Sequence, residues 1–267
     1  MNANTPAIEK VLQKATRETV TDLFRWTEDV FTFTTSKPEN YSFIAGQYAR
    51  LGLGEARDII WRAYSMTSAP ASDYLEFYGI IVPGGLFTTQ LKTLKPGDPI
   101  WIEKQPYGFM TADRFTEGDD LWMLATGTGV GPFISMLRDP YVWQRYRRLF
   151  LVHCVRHADE FAYREQLEQL QGNPPGGADS PAILHIIRST TREPATRPGQ
   201  LHGRITALLD NGALEDAAGT PIRETSSRIM LCGNPDMIED TRKILHARGL
   251  RPVRRLVPGH FLTENYW

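Results

Sequence analysis

The sequence predicts two domains in series, an antiparallel β-barrel over residues 1–116 and an α/β doubly wound parallel sheet over residues 117–267. Three observations carry this. From about Thr16 to Lys104, short β-rich runs are broken every few residues by Gly, Pro, Asp and Ser, the rhythm of a small antiparallel barrel. After FTEGDD (115–120), apolar strands alternate with amphipathic helices, the rhythm of a parallel sheet. The length of 267 residues is long for one core and comfortable for two domains of about 100 to 150 residues each.

In chain order, the barrel runs are TDLFRWTEDVFTFTTS, GQYARLGLG, WRAYSMTSAP, LEFYGIIVP and DPIWIEK, with one helix, LFTTQLKTL, ended by KPGD. In the second half LWMLAT reads as a buried strand, GPFISMLRD as a helix, RLFLVHCV as a strand and DEFAYREQLEQL as a helix. The surface loop QGNPPGGADSP follows, then ILHIIRST, a Gly/Arg loop, ITALLDNG, RIMLCG and DMIEDTRKILHARG.

Composition excludes several classes. Hydrophobic residues make up 41% and charged ones 23%, which is ordinary for a globular protein. A formal charge of −1 argues against bulk nucleic-acid binding, although a local basic patch stays open. MNANTPAIEKVLQKATRE includes Glu9 and Glu18 and has no apolar run of signal-peptide length, and no apolar stretch is long enough to span a bilayer. The two cysteines, Cys154 and Cys232, have no metal-binding spacing. The expectation is a cytoplasmic monomer with reduced thiols, no metal and no membrane insertion.

Three stretches carry chemistry. In LATGTGVGPF, Gly127, Gly129 and Gly131 allow close backbone approach between a strand and a helix, and Pro132 suits the first helical turn, so a pyrophosphate seat is expected there. The next strand ends on Val155, Arg156 and His157, where an NAD site would place an acid; with Arg192 and Arg204 at later loop positions, planar guanidinium groups suit a 2′-phosphate, hence NADPH over NADH. In WRAYSMTSAP, Arg62 and Tyr64 share one face of a strand and Ser65 points away; Gly84 and Gly85 then precede a short helix with Thr88 and Thr89 at its start, a second phosphate seat. One arginine, one helix start and a stacking tyrosine suit a flavin dinucleotide.

Taken in order, R-A-Y-S, G-G-L-F-T-T, G-T-G-V-G-P, C-G-N-P-D-M and the final Y-W resemble the bacterial ferredoxin/flavodoxin–NADP reductases over nearly the whole chain. The resemblance implies that Arg62, Ala63, Tyr64 and Ser65 contact FAD, with Tyr64 on one isoalloxazine face. It also implies that Tyr78, Gly79, Ile80 and Ile81 line the flavin strand, that Leu86, Phe87 and Thr88 hold the pyrophosphate, and that Thr128 approaches the flavin from the second domain. Val155, Arg156, Thr191, Arg192 and Arg204 carry over to NADP. The tail returns to the cofactor, with Tyr266 over the other isoalloxazine face, Trp267 near the adenine, and Cys232 beside the nicotinamide in a steric and electronic role. Tyr64, Ser65, Cys232 and Tyr266 form the expected catalytic set; Ser65 and Glu264 are candidates for polar contacts near the flavin N5, although Glu264 reads more readily as a solvated tail charge. The implied activity moves electrons between NADPH and an acidic ferredoxin or flavodoxin through FAD, with Arg251, Arg254 and Arg255 as candidate docking charges. Two other readings use the same domains: the reductase component of an oxygenase or a free flavin reductase, and a non-catalytic flavin-binding redox sensor.

Overall fold

The computed structural model describes residues 5–55, 57–177, 180–255 and 257–265. The chain divides into two compact units, one ending at Phe109 and one beginning at Met110. The junction thus precedes the one expected at 116/117. FTEGDD has the composition of a linker, yet it is fixed to the second unit: Asp119 N donates to Ser226 O at 2.9 Å, and a Cβ at Gly118 would lie 2.8 Å from Arg228 Cγ.

The first unit contains α1 (Thr5–Lys14), β1 (Ala15–Arg25), β2 (Val30–Ser36), β3 (Tyr48–Leu53), β4 (Ile60–Ser65), β5 (Tyr74–Ile80), α2 (Leu86–Leu91) and β6 (Pro99–Glu103). Its six strands run in the order β4-β3-β6-β1-β2-β5, with every pairing antiparallel. β1 serves both halves: Ala15–Thr19 pairs with β6, and the ladder shifts between Val20 and Asp22 before the strand continues along β2. Such an irregularity bends a strand and lets a sheet curl. Beyond the end of β4 a Met66–Phe77 bridge and a Thr67 N to Glu76 O bond of 2.8 Å draw the two edges together into a nearly closed barrel. Phe31, Phe33, Leu51, Phe77, Phe87 and Ile102 fill its core. The run expected over 21–36 is two strands, because Thr27 Oγ1 accepts from Asp29 N at 3.3 Å and from Val30 N at 3.1 Å and closes a turn.

The second unit contains β7 (Asp120–Thr126), α3 (Gly131–Arg138), α4 (Pro140–Arg145), β8 (Arg148–Val155), α5 (Arg164–Gly172), β9 (Ile183–Thr190), β10 (Leu201–His202), α6 (Ile205–Asp210), α7 (Ala213–Ala218), β11 (Ser227–Gly233), α8 (Pro235–Ala247) and β12 (Phe261–Asn265). The sheet runs β10-β9-β8-β7-β11-β12 and is parallel throughout. Leu121, Trp122, Met123, Leu124 and Ala125 are wholly buried, as expected of a central strand covered on both faces. The chain moves outward from β7 to β8, β9 and β10, then returns to place β11 on the other side of β7. That reversal opens a crevice at the carboxyl ends of β7 and β11. The helix expected from Asp159 begins only at Arg164, because Tyr163 sits in the left-handed region at φ 58° and interrupts it. α4 was not anticipated; Asp139 starts it by accepting from Tyr141 N at 2.8 Å, with Pro140 in the first turn.

Among the described residues, no helix is long and apolar enough to cross a membrane.

Candidate functional site

The loops after β7 and β11 interlock. Gly127–Val130 forms a single 3₁₀ turn leading into α3. A Cβ on Gly129 would lie 2.5 Å from Cys232 O and 2.7 Å from Gly233 Cα, both backbone atoms. Gly233, at φ 133°, in turn faces Thr126, whose carbonyl oxygen would be 2.8 Å from an added Cβ. Asn234 N donates to Thr126 Oγ1 at 2.8 Å, while the Asn234 side chain caps α8 by accepting from Asp236 N at 2.9 Å and Met237 N at 3.2 Å. Two helix starts, those of α3 and α8, therefore open on one crevice with their loops locked backbone to backbone. Free N–H groups and the positive ends of helices make such a place suited to anions.

His153 supports this loop from below. It is buried, and its Nε2 lies 3.0 Å from Gly127 O. Burial pushes its pKa down to about 4, so at neutral pH the ring is uncharged, and Nε2 must carry the proton to donate to the carbonyl. The bond ties the glycine turn to β8.

At the ends of β8 and β9, Arg156, Thr191 and Arg192 come together. Val155 pairs with Thr190, Thr191 N donates to Val155 O at 3.0 Å, and Arg192 N donates to Arg156 O at 3.0 Å. β10 pairs with Ser189 and Thr190, which brings Arg204, the residue before α6, to the same end of the sheet. Arg156, Arg192 and Arg204 are exposed, whereas Val155 is buried. The expected group of Val155, Arg156, Thr191, Arg192 and Arg204 is thus brought to one sheet end.

Cys232 is fully buried on β11, and burial, then the nearby Glu264, pushes its thiol pKa well up. It is a protonated thiol. Glu264 pairs with Cys232 across β11 and β12 and differs from expectation: it is half-buried, and burial raises its carboxyl pKa from the ordinary 4.5 to about 7. Sequence reasoning missed this because nothing in HFLTENYW marks its end as a strand laid against a buried one. A raised acid binds its proton more tightly when folded, so this group's contribution to stability is full below about pH 4.5 and declines as the pH rises to about 7. Glu264→Gln should therefore raise the melting temperature at pH 8 and change it little at pH 4.5; an equal effect at both values would mean the carboxyl titrates normally.

The first unit holds the other expected set. Arg62 and Ala63 are exposed on β4, while Tyr64 and Ser65 are both buried, so burial does not simply alternate along this strand. The Tyr64 ring is tilted on Phe87 at 5.6 Å and edge-on to Phe33 at 6.3 Å. It also needs Gly79, where a Cβ would come within 2.9 Å of Tyr64 Cε1. Tyr78 and Gly79 are buried, and Ile80 and Ile81 are half-buried. In the first turn of α2, Thr88 Oγ1 is committed to the preceding loop: it donates to Val82 O at 3.0 Å and accepts from Val82 N at 3.2 Å. Phe87 is buried, while Leu86 and Val82 are exposed to 69% and 40%, leaving apolar surface beside the helix start. Thr128 is buried within the second unit's glycine turn. Tyr266 and Trp267 lie outside the described residues.

Comparison with known proteins places these features. Residues 19–111 match the oxidoreductase FAD-binding domain and residues 123–243 the oxidoreductase NAD-binding domain. The chain is 38% identical over 93% of its length to a flavodoxin/ferredoxin–NADP reductase of Shigella flexneri, covering 97% of that protein. It is 36% identical over 99% of its length to one of Rhodobacter capsulatus, again covering 97%. A crystal structure of a ferredoxin NADP+ reductase from Neisseria gonorrhoeae with bound FAD and NADP superposes with a TM-score of 0.88 at 35% identity, covering 95% of this chain and 99% of that one. Barrel and parallel sheet occur in the same order at nearly full length, and on that basis this chain belongs to the bacterial flavodoxin/ferredoxin–NADP reductase family.

Proposed function

We propose that this protein moves electrons between NADPH and a ferredoxin or flavodoxin, using FAD held by its first unit. The observation that carries this reading is the gathering of Arg156, Arg192 and Arg204 at the ends of β8, β9 and β10, beside the switch-point crevice. Guanidinium forks match the 2′-phosphate of NADPH, and an acid selecting a ribose hydroxyl is not what ends β8.

The residues present fit both cofactors. In the first unit the free N–H groups at the start of α2 and the exposed Arg62 offer donors to a pyrophosphate, and the uncovered apolar surface of Leu86 and Val82 suits a flat ring system. Arg62, Ala63, Tyr64, Ser65, Tyr78, Gly79, Ile80, Ile81, Leu86, Phe87, Thr88, Thr128, Tyr266 and Trp267 serve FAD in this reading. When bound, FAD supplies a ring that accepts two electrons with a hydride and gives them up singly. The protein's part is orientation. Val155, Arg156, Thr191, Arg192 and Arg204 hold the dinucleotide, the glycine turn sets its distance, and Cys232 fills space beside the nicotinamide without acting as a nucleophile, since its thiol keeps its proton. Each chain carries both sites, so no second copy is required.

The acceptor side rests on Arg251, Arg254 and Arg255, all exposed. Arg254 and Val257 exchange backbone bonds of 3.1 and 3.2 Å, so a tight turn begins at Arg254 and carries Arg255. Reversing the charge of Arg254 and Arg255 should weaken reduction of an acidic carrier protein and flatten its salt dependence, while ferricyanide reduction by NADPH continues. Loss of both activities together would refute this docking surface.

The function itself is tested by the visible spectrum of the purified protein without air, before and after NADPH. A flavin band that bleaches with NADPH, and far more slowly with equal NADH, is expected. A colourless protein, or a yellow one that NADPH leaves unchanged, would overturn the reading in favour of a binding module. Bleaching without transfer to a ferredoxin or flavodoxin would favour an oxygenase or flavin reductase.

A further inference from the structure

On the α5 face of the second sheet, Arg164 and Arg188 share the carboxylate of Glu168, and the charge of Arg197 acts on both guanidinium groups. Side-chain alternation along β9 sets the face: Ile187 packs in the core with Ile205 and Leu208 of α6, so its neighbour Arg188 emerges on the opposite side. There Arg188 Nη1 meets Glu168 Oε1 of α5 at 3.1 Å. Arg164 lies one turn before Glu168 on α5 and therefore on the same side of the helix, with its guanidinium over the Phe161 ring at 5.7 Å. Arg197 belongs to the exposed loop between β9 and β10. Burial is the main cause that lowers the pKa of both Arg164 and Arg188; the charge of Arg197 adds to it at both, and Glu168 opposes it.

The group is out of balance in two ways. The positive charges of Arg164, Arg188 and Arg197 act on one another while Glu168 pairs with Arg188, and Arg188 Nη2 is buried with no acceptor among the described residues. A buried donor without an acceptor is costly, and crowded like charges add to that. An anion with several oxygens would correct both, and tetrahedral phosphate matches guanidinium donors in geometry and charge. We propose that Arg164, Arg188 and Arg197 form a phosphate-binding site on the α5 face, separate from Arg204, which precedes α6 on the other face. The site stands on these arginines alone; only its assignment to a phosphate of the dinucleotide rests on the reductase reading. Its phosphate is either free, as inorganic phosphate or a small phosphorylated molecule, or part of the dinucleotide.

The test follows the melting temperature of the full-length protein as inorganic phosphate replaces chloride at constant ionic strength. A saturable rise is expected, with phosphate affinity about tenfold weaker in Arg188→Gln and in Arg197→Gln and the rise still present in Arg204→Gln. Arg197 is exposed on a loop, so its variant reports on the site without disturbing the core. No saturable rise, a rise that both cluster variants keep, or a rise that Arg204→Gln abolishes would overturn the proposal. NADP+ titrated with and without phosphate then separates the two sources. Competition that disappears in Arg197→Gln assigns the site to a phosphate of the dinucleotide, and simultaneous binding assigns it to a free one.

Discussion

Gly129→Ala should destabilise the second unit by about 3 kcal/mol and raise the KM for NADPH sharply. The new methyl would stand 2.5 Å from Cys232 O and 2.7 Å from its carbonyl carbon. Neither neighbour is a side chain that can swing away; both belong to the wholly buried end of β11. Either the turn after β7 lifts or β11 shifts along its neighbours, and both movements displace the N–H groups that open on the crevice. Gly127 is the internal control: its φ of 53° disfavours a side chain, but nothing lies within 4 Å of the added carbon. Gly127→Ala should therefore cost only about 1 kcal/mol, from backbone conformation alone. Urea unfolding of the two variants decides the matter, and equal destabilisation would show that the interlock yields easily.

Arg192→Ala should raise the KM for NADPH by about 10- to 100-fold while leaving the KM for NADH within a few-fold, since a lost charge-assisted hydrogen bond is worth about 1.5–3 kcal/mol. An equal loss with both nucleotides would show that the residue shapes the loop rather than reading a phosphate. The backbone makes a second demand. Arg192 N donates to Arg156 O, so the two guanidinium groups spring from hydrogen-bonded residues and should act as one clamp. The Arg156→Ala/Arg192→Ala double variant should accordingly lose less than the sum of the single losses.

How much of this was readable from the letters depended on whether the signal was local. β7 and β11 contain the apolar runs LWMLA and IMLC, and α8 carries its cap and proline in Asn234 and Pro235, so strands and helices of the second unit stood out. The break at Tyr163 did not, because a left-handed tyrosine has no marker in sequence. The split of the first barrel run at residues 26–29 depends on one threonine hydroxyl. Glycines could be recognised as a phosphate seat, yet the reason Gly129 must be glycine lies more than 100 positions away at Cys232, and only the sheet order brings them together. The same holds for Glu264, a solvated charge by its neighbours in sequence and a half-buried one by its neighbour in the sheet. The Arg164, Arg188 and Arg197 group is spread over a helix, a strand and a loop, and no spacing in the text connects them.

Burial of both cysteines has an experimental consequence. The thiol of Cys154 is pushed up to about 11 by burial, and that of Cys232 further from reactivity still. Thiolate, not thiol, attacks alkylating reagents, so iodoacetamide should find almost nothing to label while the second unit stays closed. Labelling then becomes a clock for opening. Cys154 sits on β8 and Cys232 on β11, on opposite sides of β7, so their separate labelling rates, read by mass, would show whether the two flanks of the sheet come apart together or one at a time.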